Sequence, residues 1–190
     1  MVRIQRKRHP TGARPGFTLF FADQSGTGKS TLTQAVIAHL LETGSRAITV
    51  LDGDEVRLHL SKGLGFSRED RDTNIARIGY VASEVVRHGG IAICAPIAPY
   101  TEARARARAL VAAHGRFVEI HVATPLEVCE QRDRKGLYAK ARAGKLTGFT
   151  GIDDPYEIPA IPELRIDASQ ESALDAARRL VTLLRSAPLL

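Results

Sequence analysis

The chain has 190 residues, which suits one domain with a single core and is short for two. Apolar residues make up 44% and charged residues 25%, a balance typical of a globular chain that argues against a disordered one. No apolar run reaches the roughly 18 residues expected of a membrane-spanning helix. The 27 Lys and Arg residues exceed the 21 Asp and Glu residues, giving a formal net charge of +6 that raises the question of a polyanionic partner.

This positive charge is concentrated in the first 16 residues, which contain no acidic residue. Their basic residues are Arg3, Arg6, Lys7, Arg8 and Arg14. Without them the chain is nearly neutral, so the net charge says little about the ligands of the folded part. We interpret residues 1–16 as a basic linker or tail and residues 17–190 as one domain. A nucleic-acid partner is disfavoured because only 5% of residues are aromatic and no nucleic-acid motif is present.

Two cysteines, Cys94 and Cys129, lie in an apolar run and in a segment of helical periodicity. This placement predicts reduced packing residues instead of a disulfide framework or a metal site. The N-terminal residues also lack the apolar segment of a secretory signal. The sequence therefore indicates a cytoplasmic protein that has no membrane partner.

Short apolar runs alternate with helical segments from residue 17 onward. The predicted strands are 17–22, 47–52, 91–97, 117–122 and, more weakly, 163–167. The predicted helices are 29–43, 70–88, 101–114, 125–132 and 171–185. Continuous apolar strands separated by helices indicate parallel strands buried on both faces. We therefore predict an α/β fold, an open parallel sheet with helices on both faces.

Two basic segments receive different interpretations. The run ARARARAL, residues 103–110, predicts a solvated helix face, on which Arg104 and Arg108 lie together and Arg106 does not. The segment 134–157 is long, rich in Lys, Arg and Gly, and poor in aliphatic residues. Long loops in compact domains are usually functional, so we predict a basic lid or binding segment here. The alternative for its first part, KGLYAKARAGK, is a solvated basic helix.

The sequence DQSGTGKST, residues 23–31, follows the first predicted strand and precedes a predicted helix. Gly26, Gly28, Lys29 and Ser30 match the pattern G-x-x-x-x-G-K-S/T of P-loop proteins. Glycines let backbone N–H groups turn inward around phosphates, and the following helix N-terminus favours anions. We predict a phosphate loop in which Lys29 neutralises the β- and γ-phosphates of a nucleotide and Ser30 ligates magnesium. The alternative is an ordinary glycine-rich turn.

Asp23 occupies the position at which this pattern has its first glycine. A carboxylate about 4 Å from a phosphate charge would cost about 4 kcal/mol at an effective dielectric constant of about 20. The Asp23 side chain is therefore expected to point away from the phosphates, to meet the metal ion, or to weaken nucleotide binding.

The second predicted strand ends in LDGDEVR, residues 51–57. Ligands bind at the carboxyl ends of strands in an open parallel sheet, so Asp52 and Asp54 should face the phosphate loop. One carboxylate can accept the proton of an attacking hydroxyl while the other orients magnesium. The alternative is an ordinary turn, since D-G-D is common in turns.

Six motifs together resemble the adenylylsulfate kinase (APS kinase) family. They are SGTGKST, LDGDEVR, LGFSREDRDTNIARIG, APIAPY, CEQRDRKGLY and GFTGIDDPYE, and they occur in the family's order from about Gly16 to Asp167. The similarity is greatest to kinase domains that occur fused to ATP sulfurylase. The resemblance implies a P-loop NTPase-type fold and transfer of the γ-phosphate of ATP to the 3′-hydroxyl of adenylyl sulfate. It also implies Mg²⁺ as cofactor, a fused or associated ATP sulfurylase, and a homo-oligomer.

The resemblance also assigns roles to residues. It implies catalysis by Lys29, Asp52 and Asp54 and metal binding by Ser30 and Asp52. ATP would be bound by Ser25, Gly26, Thr27, Gly28, Lys29, Ser30, Thr31 and Arg132. Adenylyl sulfate would be bound by Asp54, Arg57, Phe66, Arg71, Asn74, Ile97, Lys135, Phe149 and Thr150. Without the resemblance, Phe66 would be interpreted as a core aromatic, and Arg57 and Arg71 as part of a solvated helix face.

The chain departs from the family pattern at three positions. Asp23 and Gln24 stand where the family has Gly-Leu, and Ala98 stands where it has a serine proposed to carry a phosphoryl group. Alanine cannot be phosphorylated, so any transfer must be direct and in line.

These departures favour an alternative function, a catalytically weak module that binds nucleotide as a regulator or oligomer-forming partner of a fused sulfurylase. The presence of Lys29, Ser30, Asp52 and Asp54 favours the enzyme instead. A different small-molecule kinase, such as a nucleoside kinase, is disfavoured by the segment FTGIDDPYE.

Overall fold

The fold is seen in a computed structural model that describes residues 15–44 and 46–190. The predicted basic linker falls mostly on residues 1–14, which lie outside the described residues, so that interpretation stays a prediction. The described part of the chain contains five strands in one sheet, and every pair of neighbouring strands is parallel. The strands are β1 (Phe17–Ala22), β2 (Ile48–Asp52), β3 (Ile91–Ala95), β4 (Arg116–Val122) and β5 (Leu164–Ile166), in the spatial order β2-β3-β1-β4-β5.

Seven helices connect or flank these strands in the described part of the chain. They are α1 (Lys29–Thr43), α2 (Gly53–His59), α3 (Arg68–Arg87), α4 (Thr101–Ala112), α5 (Leu126–Arg132), α6 (Leu137–Arg142) and α7 (Ala173–Ser186). All five predicted strands and all five predicted helices are confirmed, with ends that differ by a few residues. The helix α2 was not predicted. The helix α6 lies in KGLYAKARAGK, for which a solvated basic helix was the alternative, but its Tyr138 and Ala141 are buried. The predicted third strand ends early, at Ala95, and beyond it Ile97 forms an isolated parallel bridge with Asp23.

The sheet has a hydrophobic cluster on each face, which confirms the predicted helices on both sides. On one face Phe17, Leu19 and Phe21 of β1 pack with α1 and α7, whereas Phe20 and Ala22 face α3 and α4 on the other. All five side chains are at most 1% exposed. Burying a side chain as large as Phe or Leu is worth about 1.5–3 kcal/mol, so this central strand anchors both layers.

The arginine run of α4 differs from the prediction of a solvated face. Arg104 is only 3% exposed, and its Nε donates to Oε1 of Glu119 on β4 at 2.9 Å. Arg108 donates to the other oxygen of Glu119 and to both carboxylate oxygens of Glu163. The prediction was wrong because helical periodicity alone does not show that β4 presents a carboxylate to this helix. Arg106, which is half exposed, pairs with Asp72 and Glu102 at the surface and fits the prediction.

No helix within residues 15–44 and 46–190 has the length and apolar character needed to cross a membrane.

Candidate active site

A cavity of about 770 Å³ opens at the carboxyl ends of the strands, where ligands bind in open parallel sheets. It brings together nearly all of the predicted site residues. Its lining includes Ser25, Gly26, Thr27, Gly28, Lys29, Ser30, Thr31, Asp52, Asp54, Arg57, Phe66, Arg71, Asn74, Ile97, Arg132 and Lys135. Phe149 and Thr150 are absent from this lining.

The phosphate loop connects β1 to α1 as a chain of tight turns. Gly26 and Gly28 have φ values of 77° and 99°, a left-handed region that favours glycine. Gly28 directly precedes α1, whose first backbone N–H groups are free to bind an anion. The loop is also fixed from behind, because the Thr124 hydroxyl donates to the Thr27 carbonyl at 2.9 Å. The predicted strand, loop and helix context is therefore present.

Lys29 is held by its own loop in this structure. Its Nζ donates to the Gln24 carbonyl and, at 3.3 Å, to the Thr27 hydroxyl. An ammonium group has three donors, so one remains for a ligand while these two are engaged. Burial lowers the pKa of Lys29, and the neighbouring Asp23 acts against that decrease.

Asp23 lies below the phosphate loop and does not line the cavity. Its side chain is 2% exposed, and its Oδ1 accepts the Gln24 N–H at 2.6 Å. Its Oδ2 is buried and has no hydrogen-bond partner among the described residues. Burial raises the pKa of Asp23 to about 7, with Lys29 opposing the increase. Of the three predicted arrangements, the structure therefore has the carboxylate pointing away from the phosphate cavity.

The acidic end of β2 is built into a helix start. The Asp52 side chain caps α2 by accepting the Asp54 N–H at 2.9 Å. Asp54 is exposed, and its Oδ2 lies 2.5 Å from the Nζ of Lys135 in the basic lid. The helix was hidden in the sequence because the D-G-D turn signal coincides with an N-capping aspartate.

The predicted acceptor residues form a compact group around Phe66. The Phe66 side chain is 62% exposed, and the Arg57 guanidinium lies 4.5 Å from its ring centroid. Arg71 is 5% exposed and Asn74 is 3% exposed, and the Asn74 Oδ1 has no hydrogen-bond partner among the described residues. The core alternative is therefore wrong for Phe66, and the solvated alternative is wrong for Arg71.

The basic lid contains the helix α6 and is anchored to the phosphate loop. The Tyr138 hydroxyl donates to the Ser25 carbonyl at 2.7 Å. The Phe149 ring packs edge-on against Tyr138, with 4.9 Å between centroids. Phe149 and Thr150 are 9% and 2% exposed and are not part of the cavity lining. Phe149 packs in a separate apolar cluster with Cys129, Tyr138 and Ala141. Their predicted role in binding the acceptor stays a prediction.

Two further groups complete the description of the site. Arg132 donates from Nη2 to the Ala168 carbonyl at 2.9 Å, which holds its guanidinium at the nucleotide end of the cavity. The Ala98 side chain is fully buried, and its carbonyl accepts from Arg104. A side chain at position 98 therefore faces the core in this structure.

Tyr138 was not among the residues predicted from the sequence, although an aromatic residue in a basic, aliphatic-poor segment is a signal of local anchoring.

The family model described as "Adenylylsulphate kinase" matches residues 15–167 of this chain. The chain belongs to the adenylylsulfate kinase family. A sulfate adenylyltransferase of Chaetomium globosum is 48% identical over 190 residues, all of this chain and 33% of the relative. The chain thus spans about a third of the length of the curated relatives it matches.

Two solved structures of APS kinases also match this chain over most of its length. The Mycobacterium tuberculosis APS kinase in complex with AMPPNP and APS is 43% identical, with 90% of this chain and 99% of that chain covered and a TM-score of 0.86. A hexameric APS kinase from Thiobacillus denitrificans is 44% identical, with 94% of this chain and 30% of that chain covered and a TM-score of 0.74.

Proposed function

We propose that this chain transfers the γ-phosphoryl group of ATP to the 3′-hydroxyl of adenylyl sulfate, giving 3′-phosphoadenylyl sulfate. The observation that carries the proposal is the meeting, in one cavity, of a phosphate loop with an aromatic and arginine group suited to an anionic nucleotide. The solved family member that holds AMPPNP and APS together supports the same pair of ligands.

On the nucleotide side, the N–H groups of the phosphate loop and the start of α1 would hold the phosphates, and Arg132 would contact the nucleotide. The Lys29 ammonium would leave the Gln24 carbonyl and neutralise the β- and γ-phosphate oxygens. Phosphoryl transfer depends mainly on positioning and charge neutralisation, and this loop would supply both for the nucleotide.

On the acceptor side, the exposed Phe66 ring provides a face on which adenine can stack. Arg57 and Arg71 would bind the phosphate and sulfate oxygens through forked hydrogen bonds, and Asn74 would contact a polar edge. Asp54 would accept the proton of the attacking hydroxyl, for which it must first separate from Lys135. Ile97 would contribute an apolar wall.

Magnesium fits the donors that the cavity provides. The Ser30 hydroxyl and the Asp52 carboxylate both line it, and Mg²⁺ prefers oxygen ligands, commonly one or two from the protein with the rest from phosphates and water. A bound Mg²⁺ would supply charge neutralisation for the phosphate oxygens. Ser30 and Asp52 would hold it from the protein side.

The basic lid would exclude water, because closure over the reacting groups prevents loss of the phosphoryl group to hydrolysis. Lys135 and Arg132 would close on the ligands, and Phe149 and Thr150 would contact adenylyl sulfate as the lid closes. We further propose a homo-oligomer and a fused or associated ATP sulfurylase. The proposal of a sulfurylase partner follows from the sulfate adenylyltransferase relatives, which are three times as long as the aligned part. Two buried free cysteines favour a cytoplasmic setting.

A second candidate function is a catalytically weak nucleotide-binding module of a fused sulfurylase. It is favoured by the acidic Asp23, which is buried close enough to Lys29 to perturb its pKa.

One experiment separates the two functions. ADP release with MgATP is measured with and without adenylyl sulfate, for the natural chain and for Asp23→Gly. Release that depends on adenylyl sulfate in the natural chain supports the kinase, and release only after Asp23→Gly supports the weak module. No acceptor-dependent release in either protein would overturn the kinase proposal.

A further inference from the structure

Arg71 is held from behind by the last part of the basic lid. Its Nε donates to the Phe66 carbonyl at 2.9 Å, and its Nη2 donates to the Gly148 carbonyl at 2.5 Å. The Asp154 Oδ2 lies 3.7 Å from the same Nε. Both side chains of this ion pair are well buried, 6% exposed for Arg71 and 16% for Asp154.

These contacts use one edge of the guanidinium and leave the other edge unused. Nη1 of Arg71 has no hydrogen bond with any residue of the described chain, and Arg71 lines the cavity. An arginine side chain has several rotatable bonds, so a guanidinium fixed on one edge presents the other edge in a defined direction. Such a group binds an anion at less cost in conformational entropy than a free arginine does.

Asp154 is itself fixed by three neighbours. The Tyr100 hydroxyl donates to its Oδ1 at 2.8 Å, the Thr150 hydroxyl reaches its Oδ2 at 3.4 Å, and its carbonyl accepts the Gly151 N–H at 2.8 Å. Burial raises the pKa of Tyr100 to about 12, so this hydroxyl keeps its proton and stays a donor. The carboxylate is therefore held towards Arg71 by groups that are not part of the cavity lining.

We propose that Asp154 is a positioning residue for the acceptor: it aims the Arg71 guanidinium at the anionic group of adenylyl sulfate. The inference rests on the proposed function only for the identity of that ligand. It assigns a role to Asp154 within FTGIDDPYE, whose ion pair with Arg71 joins the lid to the acceptor-binding group.

Asp153 provides a matched control from the same turn. Its carboxylate accepts the N–H groups of Gly148 and Phe149 at 2.7 and 2.6 Å, so it supports the same segment of backbone. Arg71 contributes to the lowered pKa of Asp153, but the ion pair of Arg71 is with Asp154. A purely structural role of this turn would make Asp153→Asn and Asp154→Asn behave alike.

The test is titration calorimetry of adenylyl sulfate into the full chain in the presence of ADP, which requires no turnover. We expect Asp154→Asn to weaken acceptor binding about tenfold, the size of one charge-assisted contact, and Asp153→Asn to change it less than about twofold. Tyr100→Phe, which keeps every charge, should weaken binding about threefold and serves if Asp154→Asn does not fold. Equal loss in Asp153→Asn, or wild-type affinity in both Asp154→Asn and Tyr100→Phe, would overturn the proposal.

A kinetic arm distinguishes this inference from the proposed reaction. If the chain phosphorylates adenylyl sulfate, Asp154→Asn should raise KM for the acceptor and leave KM for ATP unchanged. In an Arg71→Ala background, Asp154→Asn should have no further effect, because the two residues act as one unit. A wild-type chain that binds adenylyl sulfate without transferring phosphate would refute the reaction alone. Additive losses in the double variant would refute the role of Asp154.

Discussion

The raised pKa of Asp23 predicts how the stability of the fold changes with pH. Burial raises the pKa of its carboxyl group from 3.8 to about 7 in the folded chain. At about 1.36 kcal/mol for each pKa unit, keeping the ionised group buried costs about 4 kcal/mol, a large part of the 5–15 kcal/mol that is typical of a domain. The substitution Asp23→Asn removes this titration and keeps the shape of the side chain.

The direction of this pH dependence follows from whether the folded or the unfolded chain holds the Asp23 proton. Below about pH 4 both states are protonated and the group has no effect on stability. Between about pH 4 and 7 the unfolded chain has lost the proton while the folded chain retains it, so the folded state becomes progressively less stable. Above about pH 7 this loss of stability is complete. About 3 kcal/mol of the total loss in free energy of unfolding should occur between pH 5 and pH 8.

The assay is urea unfolding of the natural chain and of Asp23→Asn at pH 5 and pH 8, with free energies from linear extrapolation. The natural chain should lose about 3 kcal/mol more than the variant does over this interval. Asp175→Asn is the control. The Ser172 hydroxyl and the neighbouring Arg178 lower the pKa of Asp175, so that group is ionised in both states from pH 5 to pH 8. Parallel pH curves for the natural chain and Asp23→Asn would refute the reasoning.

Three further substitutions test the site and the core. Lys29→Ala should abolish acceptor-dependent ADP release, and a wild-type rate would show that the phosphate loop is assigned wrongly. Phe66→Ala should weaken binding of adenylyl sulfate by about 1–3 kcal/mol through loss of stacking, with unchanged stability in thermal unfolding because the ring is exposed in the free protein. Arg104→Ala should destabilise the fold by about 3–5 kcal/mol because it removes a buried ion pair with Oε1 of Glu119, although Arg108 still contacts Oε2. It also removes the donors to the Ala98 and Glu157 carbonyls. In the same denaturant assay, Arg106→Ala should change stability by less than about 1 kcal/mol, and equal losses for the two arginines would contradict the structure.

The features predictable from the sequence are those set by neighbours along the chain. The alternation between apolar strands and helical segments was enough for the sheet, and the Gly26 and Gly28 spacing was enough for the phosphate loop. The order of the motifs then placed Arg57, Phe66 and Arg71 in one site, and the cavity contains all three.

The features that the sequence did not reveal depend on contacts between distant segments. Arg104 lies 15 positions from its partner Glu119, and the two meet only when α4 packs on β4. Asp154 and Arg71 belong to the lid and to α3, so their pairing has no local pattern. The helix α2 has seven residues, too short for periodicity to separate it from a turn.

The two sides of the cavity differ in how tightly they are fixed, which indicates on which side ligands enter and leave. The Asp54–Lys135 contact is 82% and 62% exposed, and exposed ion pairs are weak, so this side can separate within the native state at little cost. The acceptor wall is the side of the cavity that contains Arg71 and Ile97, next to Ala98. Arg104, which forms a buried ion pair with Glu119, donates to the Ala98 and Glu157 carbonyls and so fixes this side. Hydrogen exchange should therefore be faster at Lys135 than in β3, the buried central strand that leads to residues 97 and 98. Ligand traffic would pass through the Lys135 side, while the acceptor wall acts as a fixed template.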